Sequence, residues 1–372
     1  MKISHGLYQV FLVLALGGTA QAGNLPPVKT VFIILLENEN WGAVKGSPSA
    51  PYLNNTLLPM AAHCEQYYNP PGMHPSLPNY LWLEAGANFG LFDDNTPALD
   101  HQSTTNHLVT LLNNAGISWK TYQEDISAGY VPLADTNNYL VHHNPYAYFD
   151  DVTGTNDPDY AYGIAHIRPF GELATDLANN TVARYNFITP NSYDDGHYPE
   201  PPNNDEINQI DNWLAASIPM ILNSAAYANN GAIFITWDEG VGGDGPIGMI
   251  VLSPLVRAGY SNNIYYTHSS TLLTFQEIFG VGPWLGDAAN ATDLSDLFQG
   301  YSILNATYFP DGAFELNLAG VVPGTTNILQ ASTDLSSWVP ISTNVSATSI
   351  LTVQDTGATN YTQRYYRFIQ LP

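Results

Sequence analysis

The sequence predicts an α/β protein with a largely parallel central sheet, followed by a small all-β module. Apolar, β-branched runs that are typical of buried strands alternate with segments of helical spacing, which predicts the α/β part. After about residue 304 only short strand-like runs remain, separated by turn residues. We therefore expect a signal segment over residues 1–22, a large domain over 23–304 and a small β module over 305–372.

The first 22 residues have the features of a secretory signal peptide. Lys2 gives a basic start, Leu7–Leu16 is an apolar run, and the small-residue triplet "AQA" ends at Ala22. The apolar run is too short to span a bilayer, and no later stretch is long and apolar enough. We expect a secreted or periplasmic protein that is cleaved near Ala22 and has no integral membrane segment.

The charge balance limits the classes of partner. The chain has 9 Lys and Arg against 33 Asp and Glu, a formal net charge of −24. No basic patch is available to neutralise phosphates of a nucleic acid, so we expect no nucleic-acid partner. Such a field also repels an anionic substrate. If the substrate is anionic, a bound divalent cation is expected to invert the local charge.

The elements of the large domain follow from the chain in order. "TVFIILLEN" (30–38) predicts a buried strand that ends just before Glu37 and Asn38. The spacing after it, "PYLNNTLLPMAAHC" (51–64), is helical. The remaining patterns predict strands over 117–125, 184–191, 231–240 and 247–254, and helices over 104–116, 206–225 and 269–280.

Polar side chains follow several of these predicted strands. Glu37 and Asn38 end one strand, Asp194, Asp195 and His197 follow another, and Asp238 and Glu239 end a third, while His268 precedes a helix. Ligands of open α/β sheets collect at the carboxyl ends of the strands. Each acid alone could simply cap the next helix. Three coinciding sets instead favour a site for a divalent metal, since carboxylates and imidazole are ordinary ligands of such ions.

The heptapeptide "HPSLPNY" (74–80) places one hydroxyl between two prolines. Pro75 and Pro78 restrict the backbone, so we expect Ser76 in a defined, non-helical turn. The segment is either an ordinary loop or a nucleophile held at a fixed angle. A metal beside Ser76 would lower the pKa of its hydroxyl. Asn38 and Asn79 could donate hydrogen bonds to anionic oxygens, and a histidine could protonate a leaving group.

Together these motifs resemble the phosphoesterases of the alkaline-phosphatase superfamily, in the branch that holds bacterial phospholipases C and acid phosphatases. The similarity runs from about residue 30 to 282, with the motifs in the family's order. The motifs that carry it are "ENEN" (37–40), "HPSLPNY" (74–80), "HHNPYAYF" (142–149), "FITPNSYDDGH" (187–197), "ITWDEG" (235–240) and "YTHSS" (266–270).

The resemblance implies a three-layer sandwich fold and assigns roles to residues of this chain. Ser76 would be the nucleophile, with His197 and His268 as further catalytic residues, and Asn38, Asn79 and His143 would bind substrate. Of the adjacent Asp194 and Asp195, the sequence leaves open which one points into the site; Asp195 is the one we assign. A divalent metal, with Zn, Ca, Mg and Mn all open, would be held by Glu37, Asn38, Ser76, Asp195, Asp238 and Glu239.

The expected function is that of an exported, metal-dependent hydrolase of small phosphate esters, similar to acid phosphatases and working through a phosphoseryl intermediate. One alternative is a phosphodiesterase of the phospholipase C type. Another is an exported surface-binding protein without catalytic activity. From composition alone, the β module over 305–372 is expected to attach the protein to a cell surface or a polysaccharide.

Overall fold

The computed structural model of the protein describes residues 25–298, 300, 302–321 and 324–371. The predicted signal peptide lies outside these ranges. The chain divides into two compact units, with the first spanning Val28–Phe298 and the second beginning after it. The boundary that we expected at residue 304 falls inside a strand of the second unit, Ser302–Tyr308.

The first unit is built around one large sheet. The eight strands of this sheet are β1 (Thr30–Leu36), β2 (Ala62–Cys64), β4 (Trp119–Gln123), β5 (Ile167–Pro169), β6 (Tyr185–Thr189), β7 (Gly231–Trp237), β8 (Met249–Leu252) and β9 (Tyr260–Asn262). Two short strands, β3 (Tyr67–Tyr68) and β10 (Tyr266–Thr267), form a separate pair.

The α-helices of this unit are α1 (Trp41–Val44), α2 (Leu58–Met60), α3 (Ser76–Ala85), α4 (Pro97–Asp100), α5 (Leu108–Asn114), α6 (Asp150–Thr153), α7 (Ala161–His166), α8 (Glu172–Asn179), α9 (Glu206–Leu222), α10 (Ala225–Ala228) and α11 (His268–Phe279). Shorter 3₁₀ or π turns occupy Leu53–Leu57, Val141–His143, Pro145–Tyr148, Gly286–Asn290 and Ser295–Leu297.

The strand order of the large sheet is β5-β4-β6-β1-β7-β8-β2-β9. The pairs from β5 to β7 are all parallel, whereas β8 runs antiparallel to both of its neighbours. β1 and β7 are apolar and buried, as expected of strands covered on both faces. The predicted α/β class with a largely parallel sheet is therefore confirmed.

The helices form two packed groups around this sheet. α3 packs on α5 and α11, and α8 packs on α9. α11 begins with a capping box at Thr267 and ends at Gly280, which takes a left-handed conformation with φ of 64°. Among the described residues, no helix combines the length and apolarity that crossing a bilayer requires.

The second unit contains only antiparallel sheets among its described strands, which confirms the predicted small all-β module. One sheet has the order β11-β12-β15 and the other β14-β13-β16. Alternate side chains of β12 and β15 are buried, which is the period-2 pattern of a strand with one face on a core. The bounds are β11 (Ser302–Tyr308), β12 (Phe314–Ala319), β13 (Thr326–Ser332), β14 (Val339–Val345), β15 (Ile350–Asp355) and β16 (Tyr365–Leu371).

Candidate active site

The carboxyl ends of β1, β6 and β7 bring three carboxylates together. Glu37 follows β1 and Asp238 follows β7, while Asp195 lies in the loop after β6. The backbone N–H of Glu37 donates to the carbonyl of Asp195 at 3.0 Å. All three side chains have 0% exposure. The parallel register of neighbouring strands therefore produces the convergence that the strand-end acids predicted.

Ser76 is the first residue of helix α3. The expectation of a non-helical turn at this residue is wrong: Pro75 occupies the N-cap, and Pro78 falls in the first helical turn, where a missing N–H costs little. The hydroxyl of Ser76 donates to Oε2 of Glu37 at 3.0 Å. Ser76 lies at the positive end of the helix dipole, which favours negative charge, although the N–H of Leu77 already donates to Oδ1 of Asp94 at 2.9 Å and Pro78 has no N–H.

Tyr80 lies one helical turn after Ser76 and was missed by the sequence reasoning. Its hydroxyl donates to Oε1 of Glu37 at 2.7 Å. Its ring stacks on the imidazole of His143, with centroids 5.2 Å apart and planes 1° from parallel. Ser76 and Tyr80 are four residues apart, so in a helix both hydroxyls lie on one face and can reach the same carboxylate. The sequence predicts this pairing only if the helix is assumed to begin at Ser76.

Two imidazoles face the same carboxylate. Nε2 of His143 lies 3.2 Å from Oε1 of Glu37, and Nδ1 of His197 lies 3.4 Å from Oε2. The other nitrogen of His143 lies 3.2 Å from Oδ2 of Asp195. One ligand atom each from Glu37, His143 and His197 lie within 4.8 Å of one another, an arrangement that can hold a metal ion.

The loop that carries Asp195 and His197 is shaped by Gly196. Its φ is +87°, and a Cβ at this position would lie 2.3 Å from Cδ1 of Ile210. Glycine permits this turn, and the backbone N–H of His197 then donates to Oδ1 of Asp195 at 2.9 Å. Asp195 is fully buried and Asp194 is half-buried, so Asp195 is the member of the pair that points inward.

Several polar atoms at this site are buried without a hydrogen-bond partner. They are Oδ2 of Asp195, Oδ2 of Asp238, Nε2 of His143 and Nδ1 of His197. Buried polar atoms are almost always hydrogen-bonded, and each exception needs a cause. Carboxylate oxygens together with a neutral imidazole such as that of His143, whose pKa is lowered, are a suitable donor set for a divalent cation. The residues present therefore fit a bound metal.

Burial dominates the ionisation of these groups. It raises the pKa of Glu37 and of Asp238 well above the ordinary value, and repulsion between neighbouring carboxylates adds to the effect. Burial also raises the pKa of Asp195, to about 8. The pKa of His143 is lowered by burial and then by repulsion from His197. Without a bound cation, these three carboxyl groups and the His143 imidazole are therefore favoured in their neutral forms.

Glu239 and Asn79 contact each other rather than the Glu37 carboxylate. Oε2 of Glu239 accepts a hydrogen bond from Nδ2 of Asn79 at 2.9 Å and lies 2.9 Å from Nδ1 of His74. Nδ2 of Asn79 also donates to the carbonyls of Met73 and Pro75. The amide that we expected to face substrate oxygens is therefore engaged within the protein. The sequence reasoning assigned no role to His74.

His268 lies behind the site. Nε2 of His268 is 2.6 Å from the carbonyl oxygen of Asp238, and Nδ1 is 3.1 Å from the hydroxyl of Tyr67. Burial lowers the pKa of His268 to about 4. A neutral imidazole with Nε2–H donating to the carbonyl and Nδ1 accepting from Tyr67 satisfies both contacts. Both nitrogens are thus used within the protein.

A cavity of about 540 Å³ opens at the site. Asn38, His197 and Glu239 are among the residues that line it. The carboxylates of Glu39 and Glu206 also line it, and burial together with repulsion from Glu206 raises the pKa of Glu39 to about 7. Asn38 has a left-handed backbone with φ of 27°, and its N–H donates to Oδ1 of Asp238 at 3.1 Å.

Curated proteins similar to this chain include phosphatases. A probable acid phosphatase of Kluyveromyces lactis is 28% identical over 302 residues, which cover 75% of this chain and 67% of that protein. The phosphatidylinositol-3-phosphatase of Mycobacterium tuberculosis is 28% identical over 278 residues, covering 74% and 85%. The phosphate-repressible acid phosphatase of Penicillium chrysogenum is 31% identical over 225 residues, covering 57% and 51%. The chain thus spans about half the length of the Penicillium protein.

Solved structures similar to this chain include a protein in the alkaline phosphatase superfamily from Vibrio parahaemolyticus, with a TM-score of 0.47, 12% identity and coverage of 86% of this chain and 83% of that one. The lipoteichoic acid synthase LtaP of Listeria monocytogenes has a TM-score of 0.49 at 12% identity, covering 78% and 81%. The model of the Phosphoesterase family matches residues 47–282, more than half of the chain. The chain belongs to the Phosphoesterase family, as its motifs indicated.

Proposed function

We propose that this phosphoesterase is an exported, metal-dependent phosphomonoesterase that works through a phosphoseryl intermediate on Ser76. The observation that carries the proposal is the contact between the Ser76 hydroxyl and the buried Glu37 carboxylate, 3.0 Å apart, at the N-terminus of α3. A hydroxyl in this position is hydrogen-bonded to a carboxyl group that can accept its proton when a bound cation keeps that group ionised, and it lies at the positive end of a helix dipole, which favours phosphate. The acid phosphatases among the relatives support monoesters as substrates.

The donor set supports a divalent cation. Glu37, Asp195 and Asp238 are fully buried, and in the described part of the chain no lysine or arginine pairs with any of them. When bound, such an ion supplies positive charge to the serine oxygen and to the phosphoryl oxygens. The residues that would hold it are those expected from the sequence, Glu37, Asn38, Ser76, Asp195, Asp238 and Glu239, with His143 added because it joins Glu37 and Asp195.

The first half of the reaction transfers the phosphoryl group to the protein. Oγ of Ser76 attacks phosphorus, and its proton passes to Glu37, whose Oε2 already accepts that hydrogen bond. The bond from phosphorus to the leaving alcohol breaks, and His197 gives its proton to the departing oxygen. We assign this role to His197 because its side chain is 14% exposed and lines the cavity, whereas that of His143 is 2% exposed.

The second half releases phosphate. His197, now neutral, takes a proton from water, whose oxygen attacks phosphorus on the side opposite Ser76. The Ser76–phosphorus bond breaks, and Glu37 returns its proton to the serine oxygen. His268 and Asn79 act as positioning residues in this scheme, because His268 holds the Asp238 carbonyl and Asn79 holds the Glu239 carboxylate.

Two further parts of the proposal concern the rest of the chain. Export rests on the sequence of residues 1–22, which has the features of a secretory signal peptide. We also propose that residues 23–304 suffice for the chemistry, since every residue used above precedes residue 282. The β module would then serve attachment to a surface or polysaccharide.

Acid-quenched enzyme tests the intermediate. Protein that is turning over a labelled phosphate ester is denatured in acid, digested and analysed by mass spectrometry, and phosphate is expected on the peptide that holds Ser76. Ser76→Ala should lower the rate by several orders of magnitude, because loss of the nucleophile leaves only binding and electrostatic stabilisation. Ser103→Ala, at an exposed serine outside the site, is the matched control. A wild-type rate in Ser76→Ala would refute the proposal.

A further inference from the structure

Helix α3 carries a buried carboxyl group that the proposed chemistry does not use. Ser76, Tyr80 and Glu84 are spaced four residues apart and therefore lie along one side of the helix. The hydroxyls of Ser76 and Tyr80 both donate to the Glu37 carboxylate. Glu84 lies about two turns beyond Ser76. It has 0% exposure, which is rare for a carboxyl group unless it is paired.

The partners of Glu84 come from the start of helix α5 and from the residue before it. Oε1 of Glu84 accepts a hydrogen bond from the N–H of Val109 at 2.7 Å and lies 3.0 Å from Nδ1 of His107. The other ring nitrogen of His107, Nε2, lies 3.0 Å from Oδ1 of Asp151, which is in α6. Burial raises the pKa of Glu84, and its contacts with His107 and with the N–H of Val109 oppose the rise. His107 therefore links α3 to α6 through a carboxyl group on each ring nitrogen.

The stretch of chain that leads into α6 is held by α3 at two places. We call residues 141–151 the His143 segment; it contains two short turns, and both pack on α3. Near its beginning, the imidazole of His143 stacks on the ring of Tyr80. At its end, Asp151 contacts His107, which is itself paired with α3. One side of α3 thus holds both ends of the His143 segment.

We propose that Glu84 and His107 are positioning residues, which fix the His143 segment against α3 and so set the distance between His143 and Glu37. The imidazole of His143 lies 3.2 Å from both Glu37 and Asp195, so a shift of the segment changes its contacts on both sides. Replacing a whole buried ionic network by apolar residues often leaves stability unchanged, so such a network contributes a defined geometry as well as any stability. The expected effect on rate rests on the proposed phosphomonoesterase function.

The kinetics of Glu84→Gln test the inference. This change keeps an oxygen for the N–H of Val109 and removes the charge that holds His107. We expect kcat for p-nitrophenyl phosphate to fall by about tenfold or more with little change in KM, because a small misplacement near the reacting groups lowers the rate. Asp151→Asn, at a side chain that is 29% exposed, should lower kcat in the same way. The two changes together should cost less than the product of their separate effects, since both act through His107.

Asp150→Asn is the matched control. Asp150 precedes Asp151 in α6 and also pairs with a histidine, but that histidine, His101, has a side chain that is 37% exposed. We expect its kcat to equal that of the wild type. The kcat of each variant is referred to the folded fraction measured by tryptophan fluorescence, so that a loss of stability alone leaves it unchanged. If Glu84→Gln does not fold, Asp151→Asn decides the outcome.

Isotope-labelled histidine gives a readout that needs no catalysis. In proton–nitrogen correlation spectra, the imidazole resonances of His143, assigned with a His143→Gln variant, should shift in Glu84→Gln and in Asp151→Asn but not in Asp150→Asn. A wild-type kcat in the folded network variants, or unshifted His143 resonances, would overturn the inference and leave the phosphomonoesterase proposal intact. If the wild-type protein hydrolyses no phosphomonoester, the proposed function fails, and the His143 resonances alone decide the inference.

Discussion

Replacing His107 by glutamine should destabilise the fold at neutral and acidic pH, and the loss should shrink as the pH rises through 9. His107 has 0% exposure and lies between two carboxylates, with Nδ1 3.0 Å from Oε1 of Glu84 and Nε2 3.0 Å from Oδ1 of Asp151. Its ring stacks on Phe149 at 3.9 Å. The imidazolium form therefore has a carboxylate on each nitrogen.

The size of the effect follows from the ionisation of His107. Burial lowers its pKa, but hydrogen bonds to Asp151 and Glu84 outweigh burial and raise the pKa to about 9. Against an ordinary value near 6.5, a rise of about 2.5 units corresponds to about 3 kcal/mol. Because the folded-state pKa is raised, this stabilisation is fully present below about pH 6.5 and is lost as the pH rises towards 9. Burial also raises the pKa of Glu84, so the cluster titrates as a unit.

Urea unfolding of wild-type and His107→Gln protein, followed by tryptophan fluorescence from about pH 5.5 to 9.5, measures this effect. The difference in unfolding free energy between the two proteins isolates His107 from the other buried groups that titrate in this range. His101→Gln is the matched control, since His101 pairs with Asp150 at 2.8 Å but its side chain is 37% exposed, and such a pair contributes little. A wild-type-minus-variant difference that does not change with pH would refute the reasoning.

Three further outcomes follow from the site and the two units. Metal-stripped protein should lose activity and regain it on adding back a divalent cation, and full activity after chelation would contradict metal dependence. Tyr80→Phe should lower the free energy of unfolding by about 1.5–3 kcal/mol and should lower kcat, because it removes a hydrogen bond to the Glu37 carboxylate. The control is Tyr122→Phe, which removes a hydrogen bond to Asp176 outside the site and should lower stability without changing kcat. Protein truncated after Gly300 should fold and retain its turnover of a small soluble ester, and a folded but inactive truncation would reject the proposed division of labour.

The sequence predicted the convergence of the carboxylates because topology fixes it. Once 30–36 and 231–237 are parallel buried strands, Glu37 and Asp238 must meet at one edge of the sheet. Alternation and turn residues likewise sufficed for the β module. These features depend on periodicity that is local along the chain, which is why a single sequence contains them.

Non-local pairing explains what the sequence did not predict. The segment 51–64 has helical spacing, yet it ends in the strand Ala62–Cys64, whose partners β8 and β9 lie almost 200 residues away.

Pro75 and Pro78 were interpreted as signs of a non-helical turn, although proline is tolerated in the first helical turn. That one error concealed Tyr80, since its distance from Ser76 has meaning only in a helix.

A comparison of two buried histidine–carboxylate clusters in the described part of the chain supports the proposal that the candidate active site binds a divalent cation. Around His107 every ring nitrogen has a carboxylate partner, and the pKa of His107 is raised to about 9, so the protein supplies its own positive charge. In the Glu37 cluster, Nε2 of His143 and Nδ1 of His197 have no hydrogen-bond partner. The pKa of His143 is lowered by burial and by repulsion from His197. The carboxylates are thus compensated within the protein in the His107 cluster and not in the Glu37 cluster. His143 lies 3.2 Å from both Glu37 and Asp195 without a hydrogen bond from its Nε2, a geometry that suits a shared metal ion.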